Sequence, residues 1–346
     1  MIYIDGSYGE GGGQILRTSL SLSLITQQPI HIDNIRSGRK KPGLAPQHLT
    51  CIKAAAALCN AQVHGDKIGS QMLEFTPNTS IKSGNYTFDV TEVQQSGSAG
   101  SVTLILQTIL LPLALGDHPS QITIKGGTHV PFSPPVNYLE NVYFSYLKEM
   151  GIDVNLKLIS YGWYPQGGGE INVMITGQSK INGLSILNRG KLNQIKGAAI
   201  VTELPAHIPQ RMASRGENLL KETVFRTKIK AMREKGRFAG AGIFLTAEYE
   251  HSRAGFSALG KIGIPAEDVA KNACEELLEF HQTGAPIDEH LGDQLLLPMA
   301  LAADNSEYKV SVISEHLKTN IWVIEKFGIA AINLDENEKI IRVNTR

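Results

Sequence analysis

The sequence predicts an α/β fold, α+β in arrangement, in which one unit is written three times around a small inserted domain. Three observations predict it. A short apolar strand opens the chain and passes through the glycine-rich stretch Ile4–Arg17 into a long helix. An order of helix, strand, loop, helix and two strands then recurs at three places. The stretch from about Leu187 to Thr283 matches none of them and carries strands and helices of its own.

The first unit runs from Gly11 to about Pro77. Its helix Gln14–Ile25 stops at Gln27-Gln28-Pro29 and leads into an extended Ile30–Ile35. The basic loop Arg36–Gly43 follows, then a helix Gln47–Cys59 and strands Gln62–His64 and Gln71–Phe75. In the second unit the helix is Ser101–Leu115 and the strand Ile122–Ile124. The loop Gly126–Pro135, a helix Val136–Met150 and strands Asp153–Ile159 and Glu170–Ile175 complete it, with Gly167-Gly168-Gly169 between the strands. The third unit starts near Gly292, with a helix Asp293–Ala302, a strand Tyr308–Val312 and a loop Ile313–Thr319. A helix Asn320–Lys326 and strands Ile329–Leu334 and Ile340–Val343 close it. The expected division is therefore a discontinuous large domain, 1–186 with 284–346, and an inserted α/β domain, 187–283. The insert holds strands Gln194–Thr202 and Ala241–Tyr249 and helices Pro209–Thr223 and Pro265–His281. Its run Lys221–Arg237 is strongly basic, as a solvated face or a nucleic-acid contact would be.

Composition narrows the function. At 346 residues and 42% hydrophobic, the chain has apolar matter for a sizeable core. Its 33 basic and 33 acidic residues cancel, so any nucleic-acid role must rest on local patches. The apolar run Leu104–Gly116 is too short and too polar to span a bilayer, and the opening residues carry no signal core. No membrane role is expected. Cys51, Cys59 and Cys274 lack metal-site spacing and read as buried thiols of a reducing, cytoplasmic setting.

The glycine loop lets backbone N–H groups turn toward one point, and the helix after it aims its positive end there. That suits phosphate. The pattern is neither the dinucleotide fingerprint nor the Walker loop, because Gln14 stands where a glycine would and no Gly-Lys-Ser/Thr follows. A tight turn without a ligand is the plain alternative. If the units share a fold, equivalent loops converge: Arg36, Arg39, Lys40 and Lys41, then His129 with Pro134-Pro135, then His316. Helix starts add Glu10 and Gln14, with Gln107 inside its helix, and Asp293 and Gln294. Carboxylate, amide, imidazole and guanidinium at one place suit metal-assisted phosphate chemistry. His316, at a strand-to-helix junction, is the candidate nucleophile toward phosphorus. His48 is placed to donate to a phosphate, and His290 to stack on a base.

Five stretches, Ile4–Ser23, Ile35–Leu49, Gly97–Thr108, Asp293–Ala300 and His316–Phe327, resemble the RNA 3′-terminal phosphate cyclases. The resemblance covers essentially the whole chain. It implies three βαβαββ repeats with an inserted small domain. It also implies an ATP-dependent reaction in which His316 carries AMP, AMP passes to an RNA 3′-phosphate, and the 2′-hydroxyl closes a 2′,3′-cyclic phosphate. A divalent metal, Mg²⁺ or Mn²⁺, would bind at Glu10 and offset charge on ATP. By the same matching Glu10, Gln14, Gln107, Pro134, Asp293 and Gln294 line the ATP pocket. His290 stands where the family places an aromatic, and Phe256 reads as a core phenylalanine, with a cover for the adenine as the alternative. Arg17, Arg36, Arg39, Gln47 and His48 would hold RNA phosphates. A homodimer is a possible assembly. The competing readings are a non-catalytic, cyclase-like ribosome-assembly factor, whose branch lacks the histidine, and an enolpyruvyl transferase.

Overall fold

The computed structural model describes residues 1–93, 100–221 and 226–345. Residues 97–99 of the Gly97–Thr108 stretch and residues 222–225 of the basic run lie outside the described residues.

The first sheet is built from β1 (Ile2–Asp5), β2 (Ile30–Asp33), β3 (Gln62–His64) and β4 (Leu73–Thr76), with helices α1 (Gly13–Thr26) and α2 (Pro46–Cys59) between them. β1 and β2 are parallel, β2 and β4 antiparallel, and β4 and β3 antiparallel. The second sheet follows with β5 (Asn85–Asp89), α3 (Val102–Ala114) and β6 (Ser120–Gly126). A helical segment then runs through α4 (Val136–Tyr138), a π turn (Leu139–Tyr143) and α5 (Phe144–Glu149) to β7 (Val154–Ser160) and β8 (Gly169–Ile175). Its strand order, β5-β6-β8-β7, repeats that of the first sheet, β1-β2-β4-β3.

The third sheet begins with the two-residue β9 (Ser185–Ile186). The chain then builds a separate sheet of β10 (Leu192–Thr202), β11 (Thr227–Glu234), β12 (Gly240–Tyr249) and β13 (Arg253–Leu259). Helices α6 (His207–Lys221) and α7 (Ala266–Thr283) accompany it. Two short helices, α8 (Glu289–Gln294) and α9 (Leu296–Ala300), lead to β14 (Ser306–Lys309), α10 (Glu315–Phe327), β15 (Ala330–Asp335) and β16 (Ile340–Thr345). β14 pairs in parallel with β9 and antiparallel with β16, which pairs antiparallel with β15. The first strand of this sheet thus lies well upstream of residue 292. Two residues carry no periodicity, so the sequence could not show them. β11 and β13 are also absent from the sequence reading. In β11 the buried Ile229 stands among exposed lysines, which masks its alternation.

Apolar side chains separate into one large cluster spanning the three similar sheets, a second within the fourth, and a small third of Trp163, Ile200 and Phe244 between the second and fourth sheets. α3 explains itself: every residue but Gln107 is buried, as in a helix that is apolar all round. Serines allow α1 to approach it closely, and Ser21 Oγ donates to the Thr108 carbonyl at 2.6 Å. Two helix starts differ from expectation. α10 begins at Glu315, not Asn320, because Ser314 caps it by accepting the Leu317 N–H at 3.2 Å. α8 begins at Glu289, capped by Asp288. No described helix is long and apolar enough to cross a membrane.

Asp288 joins three parts of the chain. Only 2% exposed, its carboxylate accepts from Tyr138 Oη at 2.8 Å, Leu291 N at 2.9 Å and Gly255 N at 3.1 Å. The partners come from the helical segment of the second sheet, from α8 and from β13. Asp288→Ala strands three buried donors, each costing about 1–3 kcal/mol. A loss of roughly 3 kcal/mol or more in denaturant unfolding is expected, with Asp288→Asn intermediate.

Candidate active site

The N-termini of α1 and α10 and the end of α8 meet through one amide. Gln14, in the first turn of α1, donates from Nε2 to Asp293 Oδ2 at 2.6 Å. Its Oε1 lies 2.7 Å from His316 Nδ1. A carboxylate only accepts, so the amide nitrogen must face Asp293 and the carbonyl must face the imidazole. Nδ1 therefore carries the proton. The lone pair is left on Nε2 of a side chain still 51% exposed. Burial lowers the imidazole below the ordinary histidine range, opposed by the Asp293 charge and reinforced by Arg17, Arg39 and His290. Burial pushes the Asp293 carboxyl up. His316 is thus neutral near pH 7. It sits in the first turn of a helix rather than in the loop expected from the sequence.

Residues one turn along α10 brace this arrangement. Asn320 Nδ2 donates to the Asp293 carbonyl at 2.9 Å, and its Oδ1 accepts from Thr18 of α1 at 2.8 Å. Thr319 Oγ1 accepts the Glu10 N–H at 3.2 Å. Gly9 stands against that hydroxyl with φ +56°, so a Cβ would be strained and would also strike Thr319. The sequence offers Thr319 and Asn320 only as the context that marks His316 and assigns no role to them or to Thr18. The i+3 and i+4 spacing from His316 is the signal that would have found the first two.

Glu10 ion-pairs with Arg39 from the basic loop through Oε1. Its Oε2 is buried, has no hydrogen-bond partner and lies 3.5 Å from His316 Nδ1. On the other side of Gly13 stand Arg17 and His48, leaving no room for a Cβ. His48 Nδ1 accepts the Ala45 N–H at 3.0 Å, so its proton is on Nε2, facing Gly13. Burial, then Arg17 and Arg36, lower it to about 3 and keep it a neutral donor.

A cleft of about 450 Å³, open to solvent, is lined by Gln14, Arg17, Gln107, Asp293 and Gln294 beside Tyr143. Gln107 Nε2 donates to Gln294 Oε1 at 2.9 Å, and Gln294 Nε2 to the His290 carbonyl at 2.8 Å. Other candidates lie elsewhere or are otherwise engaged. The Pro134 carbonyl accepts from Thr103 Oγ1 at 2.8 Å, and Pro135 borders a separate, narrow crevice against Phe244 and Phe256. Phe256 itself packs in the apolar cluster of the fourth sheet, its ring 5.3 Å from Phe280. Arg36 spends one nitrogen on the Gly43 carbonyl at 2.8 Å, and Gln47 Oε1 faces the Ser101 N–H at 3.5 Å. His290 is exposed on α8. His129, grouped with His316 from the sequence, is fully buried instead. Thr128 and Asn137 hold its two nitrogens, and Trp163 and Phe244 enclose its ring. It is a core residue.

The sequence profile of the RNA 3′-terminal phosphate cyclase family matches residues 8–334. The chain belongs to that family. It is 57% identical to the RNA 3′-terminal phosphate cyclase of Nostoc punctiforme over 100% of this chain and 99% of the relative. Identity is 47% with that of Methylococcus capsulatus, over 96% and 93% of the two chains. With the Archaeoglobus fulgidus cyclase it is 40%, over 99% and 100%.

In this cyclase-family chain no three His, Cys, Asp or Glu side chains group as a metal cage among the described residues. Mg²⁺ does not need one, because it is commonly held by one or two carboxylates together with substrate phosphates. The unpartnered Glu10 Oε2 fits that manner of binding.

The amide bridge can be tested directly. Gln14→Met keeps the volume and removes both hydrogen bonds, which frees the tautomer of His316. Loss of a bond to a charged or positioning partner costs about 1.5–3 kcal/mol, roughly ten- to hundredfold in rate. Reaction of the protein with α-labelled ATP should slow by that factor in single-turnover measurement. In the parent, the acid limb of the pH profile should lie below 6.5, because burial holds His316 neutral there.

Proposed function

We propose that this chain uses ATP to convert an RNA 3′-terminal phosphate into a 2′,3′-cyclic phosphate through a covalent His316–AMP adduct. One observation carries the reading: Asp293 and Gln14 set the proton of His316 on Nδ1 and leave Nε2 free. That nitrogen attacks the α-phosphorus of ATP, and the bond to the bridging oxygen breaks as pyrophosphate departs. An oxygen of the RNA 3′-phosphate next attacks the same phosphorus. The P–N bond breaks, Nε2 recovers its electron pair, and the RNA end now carries AMP through a pyrophosphate link. The 2′-hydroxyl then attacks the RNA phosphorus, loses its proton and expels AMP. Activation is required because a phosphate monoester offers the hydroxyl no adequate leaving group.

Arg17 and His48, both against Gly13, supply a cation and a neutral donor for phosphate oxygens beside the helix N-terminus. Gln107 and Gln294, at the far side of the cleft, suit the nucleoside part of ATP. Glu10 would hold Mg²⁺ or Mn²⁺ through its open oxygen, and the ion would offset charge on the triphosphate. The three free, buried cysteines suit a reducing, cytoplasmic setting.

His316→Asn keeps the shape of the side chain and removes the nucleophile. No acid-labile AMP should form on it with α-labelled ATP, while its thermal midpoint stays near that of the parent. Adduct at the parent level would end the assignment. Arg39→Ala addresses the second step. Its partner Glu10 lies beside His316, yet its loop belongs to the first sheet, where the RNA end is expected to enter. Adduct formation should survive, and AMP transfer to RNA should fall ten- to hundredfold, equivalent to about 1.5–3 kcal/mol. If the adduct step falls equally, Arg39 serves the triphosphate instead.

A further inference from the structure

The inserted domain presents a strip of cations that the active site does not use. β11 is the edge strand of the sheet ordered β11-β10-β12-β13. Arg226, Lys228, Lys230, Arg233, Lys235 and Arg237, on and just beyond it, are all exposed, and Glu234 is the only acid in the run. Among the described residues none of the six side chains is in an ion pair, and only that of Arg233 makes a hydrogen bond, to the Leu204 carbonyl at 2.9 Å. The chain as a whole is neutral, so this is a local excess. Lys228 stands directly beside Lys196 of β10, and Lys230 follows on the same face. Ile229 points the other way, to the side of the sheet covered by α6, where it packs at Gly216.

The lysine face leads toward the rest of the molecule. Its next row is Met232 beside Ile200, and these meet Phe244, Trp163 and Tyr161. Gly236 bridges to Tyr161, while Phe238 packs at Gly168 under the Arg237 guanidinium. Tyr164, 62% exposed, follows Trp163 at this junction. Phe244 and Thr246 of the same face line the crevice bordered by Pro135. From there Pro134 holds Thr103 of α3, and Gln107, one turn further, enters the active-site cleft.

Like charges on adjacent strands destabilise a sheet. Glu248 of β12 answers Lys196 at 3.0 Å, but no acid pairs with Lys228 or Lys230 among the described residues. Lysines on an edge strand also deter strand-to-strand association. That purpose needs neither the row shared with Lys196 nor the cations beyond the strand. A polyanion satisfies the row of Lys228 and Lys230 beside Lys196, since phosphates bound by lysine release counterions, and the exposed Tyr164 ring at the junction offers stacking to an unpaired base. We propose that this strip holds the body of the RNA substrate, upstream of the 3′-phosphate, through sequence-independent binding of its phosphates. The inference rests on the RNA-cyclase reading and adds a second, remote subsite to it. The strand spans about 26 Å at roughly 3.3 Å per residue, enough for several consecutive phosphates.

The test compares the parent with Lys228→Ala/Lys230→Ala and Lys228→Glu/Lys230→Glu, all at exposed positions. Substrates are single-stranded RNA 3′-phosphates of about three and about twenty nucleotides, the longer able to reach a remote groove. Adduct formation with ATP, and kcat and KM for the short RNA, should be unchanged in both variants. KM for the long RNA should rise on the order of tenfold in the alanine variant and further in the glutamate variant. Fluorescence anisotropy with a 3′-hydroxyl RNA of the longer length reads binding without turnover. Each phosphate neutralised on a single strand contributes about 0.7 to the slope of log affinity against log salt, so removing both lysines should make that slope shallower by about 1.4. Unchanged affinity and salt slope would overturn the strip, as would equal losses with short and long RNA. Absence of adduct in the parent would instead overturn the cyclase reading, and the anisotropy series would still decide the strip.

Discussion

One buried amide holds the reactive centre together. Gln14 can satisfy Asp293 only with its nitrogen and His316 only with its oxygen, so its orientation is forced. That choice dictates which imidazole nitrogen carries the proton and which keeps its lone pair. It also ties α1, near the start of the chain, to α8 and α10, near its end. Asn320 and Thr18 repeat the tie one turn deeper, so the two helix N-termini cannot shift separately. The geometry of the centre therefore depends on long-range packing rather than on any single loop.

The electrostatics follow from the same crowding. Desolvation lowers His316 and His48, and the cations Arg17, Arg36 and Arg39 add to it. Both imidazoles stay neutral, His316 with its lone pair on Nε2 and His48 with its proton there. Glu10 is the counterweight: one oxygen answers Arg39 and the other is left open. A centre this rich in cations and neutral donors, with one open carboxylate oxygen, is suited to polyphosphate rather than to a neutral ligand.

The fourth sheet and its helices lie in the chain between β9 and α8, where Asp288 anchors the returning chain to Tyr138 and Gly255. Its junction with the second sheet is aromatic, built on Trp163, Phe244 and the enclosed His129. These rings join one face of the fourth sheet to the second sheet. The cationic edge of β11 gains its meaning from that junction.

Much was legible in the sequence. Long helices showed their apolar pattern, and Gln62–His64 appeared with the bounds that the structure has. The glycine loop announced a close approach, and Gly9 and Gly13 have no room for a Cβ against Thr319 and His48. The residues of the centre were nameable because their types are rare in such clusters. What the sequence could not decide is pairing over distance. β9 is two residues long, and it is a strand only because β14 lies beside it. His129 and His316 look alike as imidazoles after a strand, yet one is walled in by Trp163 and the other opens on a cleft. The role of Gln14 is the clearest case. Nothing local says which end of its amide faces which partner. The tertiary structure decides it, because only packing brings a carboxylate 279 residues away and an imidazole 302 residues away to its two ends.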